Sequence, residues 1–85
     1  FALKANYPNP FNPTTQINYD LPQNEHITIT VFNAQGKVVN ILVDGYQAAG
    51  SYSVNFNGNG LASGLYFYTM EAGTFCKTMK MVLIR

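Results

Sequence analysis

Over most of this chain, apolar residues fall at every second position. Thr15, Ile17, Tyr19 and Leu21 interleave with Gln16, Asn18 and Asp20. Ile27, Ile29 and Val31 interleave with Thr28 and Thr30, and Tyr52, Val54 and Phe56 with Ser53 and Asn55. Leu65–Ala72 is the most aromatic segment, with Tyr66, Tyr68 and Met70 on one face. A period of two sends successive side chains to opposite faces of a strand, so each segment has one apolar face to bury. No segment holds a helical period. Turn chemistry separates the segments at Pro22–Glu25, Asn33–Gly36, Asp44-Gly45, Gln47–Gly50, Asn57–Gly60 and Ala72–Thr74. Such signals, recurring roughly every 8–12 residues, are those of an all-β sandwich or barrel. The expectation is an immunoglobulin-like antiparallel β-sandwich of six to seven strands. It lacks the inter-sheet disulfide, because Cys76 is the only cysteine.

Three segments read less simply. Lys37–Val43 is apolar nearly throughout, which predicts a return strand buried on both sides. Its hairpin with the preceding strand turns at Asn33–Gly36, where Gly36 suits the left-handed residue closing a type I turn. Leu61–Gly64 has room for one helical turn. The last strand, Phe75–Ile84, has Met79, Met81 and Leu83 on one face and Val82 and Ile84 on the other. Such a strand is either central in its sheet, or one of its faces awaits a partner. Lys80 shares its face with Cys76 and Thr78, so its ammonium is expected in solvent.

Tyr7-Pro8-Asn9-Pro10-Phe11-Asn12-Pro13 holds three of the chain's four prolines. Each proline fixes φ, removes an N–H donor and drives its predecessor towards extended geometry. The segment is therefore stiff, extended or kinked, and unable to join the middle of a sheet. Tyr7 and Phe11 are its large apolar side chains and are expected to plug one end of the core. Residues 1–6 read as a linker remnant, leaving residues 7–85 as a single domain. The start at Phe1, without Met, suggests a piece of a longer protein.

Composition excludes several functions. Charged residues are 11% of the chain and the formal net charge is +1. Nucleic acid needs clustered Lys and Arg, and here only Lys77, Lys80 and Arg85 lie near one another. No apolar run approaches the ~18 residues of a membrane-spanning helix. The acids Asp20, Glu25, Asp44 and Glu71 fall on outward faces or in turns, without the paired carboxylates that sugar hydrolysis needs. A single histidine, His26, and a single cysteine give no zinc set, and Cys76 has no base beside it. The glycines at 58 and 60 do not lead from a strand into a helix, so they form no phosphate cradle. No catalytic, metal or cofactor site is expected. Tyr46 and Phe67 are the aromatics left outside the core, so a carbohydrate-binding or purely structural module appended to a secreted hydrolase is the alternative reading. Low charge with many Asn, Thr, Ser, Gly and Tyr leans towards an extracellular domain.

Taken in order, Asn6–Thr15, Val31–Val39, Gly64–Tyr68 and Lys80–Arg85 resemble the motifs of the type A C-terminal sorting domain of the type IX secretion system. The resemblance covers residues 6–85. Asn33 stands where that family commonly has Asp, and Cys76 is a second departure. The immunoglobulin-like domain of the flagellar hook-capping protein is similar in pattern. The resemblance implies a non-catalytic domain at the C-terminus of a secreted protein, following a cargo domain in the same chain. It implies recognition by the outer-membrane translocon, removal by a sortase-like peptidase and attachment of the cargo to surface lipopolysaccharide. Carried over residue by residue, recognition falls on Pro8, Asn9, Pro10, Phe11, Gly64, Tyr66, Lys80, Met81, Val82 and Leu83. The domain is expected to act as a monomer, without cofactor.

Overall fold

The computed structural model describes residues 1–85. It contains seven strands and no helix: β1 Ala2–Leu3, β2 Thr14–Leu21, β3 Glu25–Asn33, β4 Val38–Gln47, β5 Gly50–Asn57, β6 Gly64–Ala72 and β7 Phe75–Leu83. They form two antiparallel sheets, ordered β1-β2-β5 and β4-β3-β6-β7. The alternation becomes the core. Ile17, Tyr19 and Leu21 of β2 face Ile27, Ile29 and Val31 of β3, with Tyr66, Tyr68 and Met70 of β6 and Met81 and Leu83 of β7, and all are buried. Burying one such side chain contributes about 1.5–3 kcal/mol. An exposed ion pair contributes about 0–1 kcal/mol. The core therefore outweighs the surface ion pair Lys4–Asp20 and the exposed contact of His26 with Asp44.

The hairpin after β3 forms as its sequence dictates. Gly36 has φ +84 and its N–H bonds to Asn33 O at 2.9 Å. The Asn33 side chain accepts from the Gln35 and Lys37 amides.

β4 departs from expectation. It is an edge strand, not one covered on both faces, and Val38 and Ile41 are 56% and 54% exposed. Its register against β3 slips twice, beside Leu42 and beside Val39. Each slip adds a residue to β4 and redirects the side chains that follow. Asp44-Gly45 makes no turn: Asp44 pairs with Thr28 and Gly45 with Ile27, so the ladder overrides local turn preference. The chain leaves the sheet later, at Ala48–Ala49, where it crosses to β5. No helical turn forms at Leu61–Gly64; the Leu61 N–H closes a turn on Gly58 O.

The chain's first residues also differ from the linker reading. Ala2–Leu3 pairs with Tyr19 and Asp20, Leu3 is buried, and the Lys4 N–H bonds to Asn18 O. The outer edge of β2 would otherwise lack a partner, and these residues satisfy it. The seventh strand is thus Ala2–Leu3, not the proline segment. Tyr7 does not plug the core; it is 81% exposed, while Phe11 is 1% exposed and does. β7 is not central, because β6 is its only neighbour in the sheet.

One buried polar cluster ties the chain's start to the core. The Tyr68 hydroxyl accepts from the Asn6 N–H at 2.9 Å and donates to Lys4 O at 2.8 Å. The Asn6 side chain donates to Thr15 Oγ1 and Pro8 O, and Thr15 donates to Pro8 O. Burial pushes the Tyr68 phenol above its usual pKa, against the opposing effect of the Asn6 N–H. Tyr68→Phe removes both hydroxyl bonds and leaves a buried N–H unpaired, so it is expected to cost about 1–3 kcal/mol. The folded state disfavours the phenolate, so the unfolded chain loses this proton first. Stability from Tyr68 is therefore complete below about pH 10 and declines above it. Thermal melts of both proteins between neutral and strongly alkaline pH should show a lower melting temperature and a shallower alkaline decline in Tyr68→Phe. An equal decline in both would contradict this account.

Candidate functional site: the proline strap and the closing strand

The proline segment crosses from one sheet to the other. At Tyr7 it bridges β2, with Tyr7 N to Gln16 O and Gln16 N to Tyr7 O both 2.9 Å. At Phe11 it bridges β7 in parallel: Phe11 N donates to Val82 O and Ile84 N donates to Phe11 O, both at 2.9 Å. Between these points the Asn9 side chain accepts from the Val82 N–H at 3.0 Å. Prolines suit this role because a strap needs few donors and little freedom. The peptide bonds before Pro8, Pro10 and Pro13 are all cis.

Phe11 anchors the strap. Its ring lies 5.9 Å from that of Phe56, edge to face. A Cβ at Gly58 would stand 3.1 Å from Leu83 and 3.3 Å from Phe11, so only glycine fits there without displacing one of them. The Gly58 N–H also bonds to Pro13 O at 2.8 Å. The glycine-rich corner thus serves as a packing surface for the strap. The sequence offered no sign that Gly58, Asn6 and Tyr68 would support the strap, because each does so by acting on residues far along the chain.

The structure separates the residues named by resemblance into two groups. Pro8, Asn9, Pro10, Gly64, Lys80 and Val82 are exposed. Phe11, Tyr66, Met81 and Leu83 are interior. By register, Gly64 lies opposite Leu83, Tyr66 opposite Met81 and Phe67 opposite Lys80. Gly64 has φ +147, a conformation that favours glycine. Asn9, Phe11, Gly64, Tyr66, Val82 and Leu83 therefore meet at one end of the sandwich. Pro8 instead serves the other sheet, its carbonyl accepting from Asn6 and Thr15. Met81 and Leu83 offer no surface to a partner while β7 stays in place.

Elsewhere the surface is sparse in chemistry. No three His, Cys, Asp or Glu side chains converge as a metal set would. Hydrogen bonding from Ser51 and from Lys4 holds the Asp20 carboxyl below its usual pKa. Tyr46 and Phe67 lie on either side of β3, with their register positions about 20 Å apart along it, too far to stack on one sugar ring. Val38, Phe32 and Phe67 form an apolar row across the outer face of the larger sheet, with Leu65 and Val82 beyond it.

Against known families, the one described as the secretion system C-terminal sorting domain matches residues 5–85, from just before the strap to the last residue. The chain belongs to this family. No curated protein and no solved structure matches it. As a type IX sorting domain it is a non-catalytic export signal of a secreted protein, and its destination is the cell surface or the medium. The matched residues take in both the strap and the closing strand.

The contacts between them differ in weight. Truncating a buried phenylalanine costs about 3–5 kcal/mol, so Phe11→Ala should leave the sorting domain barely folded at best. Asn9→Ala removes one exposed hydrogen bond and should cost about 0.5–1.5 kcal/mol. Hydrogen exchange on Asn9→Ala should quicken at the Val82 amide. It should leave the Ile84 amide slow, because that acceptor is the Phe11 backbone. Equal quickening at both would mean that Asn9 holds the whole strap.

Proposed function

We propose that the strap and β7 together form the surface by which the outer-membrane machinery of the type IX system recognises this domain. The observation that carries the reading is the Asn9–Val82 hydrogen bond, which joins two exposed residues 73 positions apart in sequence. Pro8, Asn9, Pro10, Gly64, Lys80 and Val82 make the contact, and Phe11, Tyr66, Met81 and Leu83 hold them in position. Recognition needs no reacting group. A cargo domain preceding it in the same chain supplies whatever activity the protein has, and the exported cargo is attached to the surface after a sortase-like peptidase removes the signal. The domain acts in this as a monomer.

A periplasmic reporter fused to residues 1–85, in a cell with an active type IX system, should reach the surface or the medium. Deleting Lys80–Arg85 should abolish delivery, although loss of Met81 and Leu83 from the core also unfolds the domain. Lys80→Ala separates the two effects. Lys80 is exposed and makes no ion pair, so its loss should change stability by no more than ~0.5 kcal/mol. Delivery should nevertheless fall. Delivery unchanged in both variants would remove the assignment.

A further inference from the structure

The bonds from Val82 and Ile84 to the strap show which backbone groups of β7 face away from β6. β6 and β7 pair without a register slip, so the amides and carbonyls of Cys76, Thr78 and Lys80 point to the same free edge. The strap satisfies this edge at Val82 and Ile84 and leaves it bare from Cys76 to Lys80. A groove of about 560 Å³ lies along the bare part, between Ala5 and Asn9 of the strap side and Phe67, Thr78 and Lys80. Lys77 and Lys80 flank it, and neither has an acidic partner, since the carboxylates in contact with a basic side chain are Asp20, with Lys4, and Asp44, with His26.

The other free edges lack this combination. β4 is interrupted by two register slips, which spoil a template for strand pairing. β5 is regular but carries no charged residue to select a partner. We propose that the β7 edge from Cys76 to Lys80 accepts an extended segment of a partner as an added strand, and that the segment carries two acidic residues three positions apart. Backbone bonds to Thr78 and Lys80 hold it, and its carboxylates meet Lys77 and Lys80. The same cations repel a second copy of this edge, so the occupant is a different, acidic chain. The site shares Lys80 with the recognition surface proposed above and extends from it along the stretch of edge that the strap leaves open.

The probe is a capped threonine–valine peptide of about seven residues, long enough for this edge, with two glutamates three apart. It is titrated at low salt into the isotopically labelled 85-residue chain. Saturable amide shifts and slowed hydrogen exchange at Cys76, Thr78 and Lys80 are expected. A peptide with lysines in place of the glutamates should not bind. The double variant Lys77→Glu, Lys80→Glu should bind the acidic peptide at least about tenfold more weakly, and the lysine peptide should regain what was lost. Thr78→Pro should abolish binding, because that N–H faces the free edge and its loss breaks no bond to β6. If Thr78→Pro does not fold, N-methylation of the peptide's central amides tests the same bonds. Equal affinity for the two peptides, shifts confined to β4 or β5, or no saturable shift would overturn the proposal. So would protection of Cys76–Lys80 that grows with protein concentration alone, which would make the occupant a second copy.

Discussion

β7 has a strand on one side only, and the rest of the site follows from how its other side is satisfied. Its inward residues, Met81 and Leu83, are fully buried, so the strand cannot move without opening the core. Its outward backbone groups need partners, and in the last third of the strand the proline strap supplies them through Phe11 and Asn9. The strap can do so because it is itself fixed twice, by Tyr7 on β2 and by the Phe11 ring against Phe56. One end of the sandwich is thus closed by backbone bonds between sheets, where most of the core relies on side-chain contact.

If the strap and β7 form the recognition surface as proposed, export and stability draw on overlapping residues in this domain. Phe11, Tyr66, Met81 and Leu83 are interior, and a change at any of them would reduce both folding and delivery. The exposed neighbours Asn9, Lys80 and Val82 carry smaller energies and are the positions where the two effects come apart. This division arises from the strand geometry: consecutive residues of β7 alternate between core and solvent, so the core packing and the presented surface lie one residue apart.

Wherever one residue's side chain decided its position, the sequence was legible. Ile17, Ile29 and Phe56 alternate with polar neighbours and all point inward, as the period requires. β4 was not legible, because a continuous apolar run carries no information about faces. The exposure of Val38 and Ile41 was set by register slips that depend on β3. Asp44-Gly45 has strong turn chemistry, yet pairing with Thr28 and Ile27 outweighed it. Tyr7 and Phe11 looked alike in sequence. Both backbones are bonded to a sheet; Tyr7 stays outside, while Phe11 enters the space that Gly58 leaves. The motifs at the two ends of the chain were recognisable one by one, but their meeting was not, because it runs through backbone bonds and one asparagine side chain.

The parallel bridge between Phe11 and Leu83 sets an order on synthesis. Within this domain the strap is made before its partner strand, β7. Until β7 is made, Asn9 and the Phe11 backbone lack their partners at Val82 and Ile84, and the space beside Gly58 lacks Leu83. A chain that stops short presents neither half of the joined surface in its final arrangement. The joined surface therefore exists only once β7 is in place.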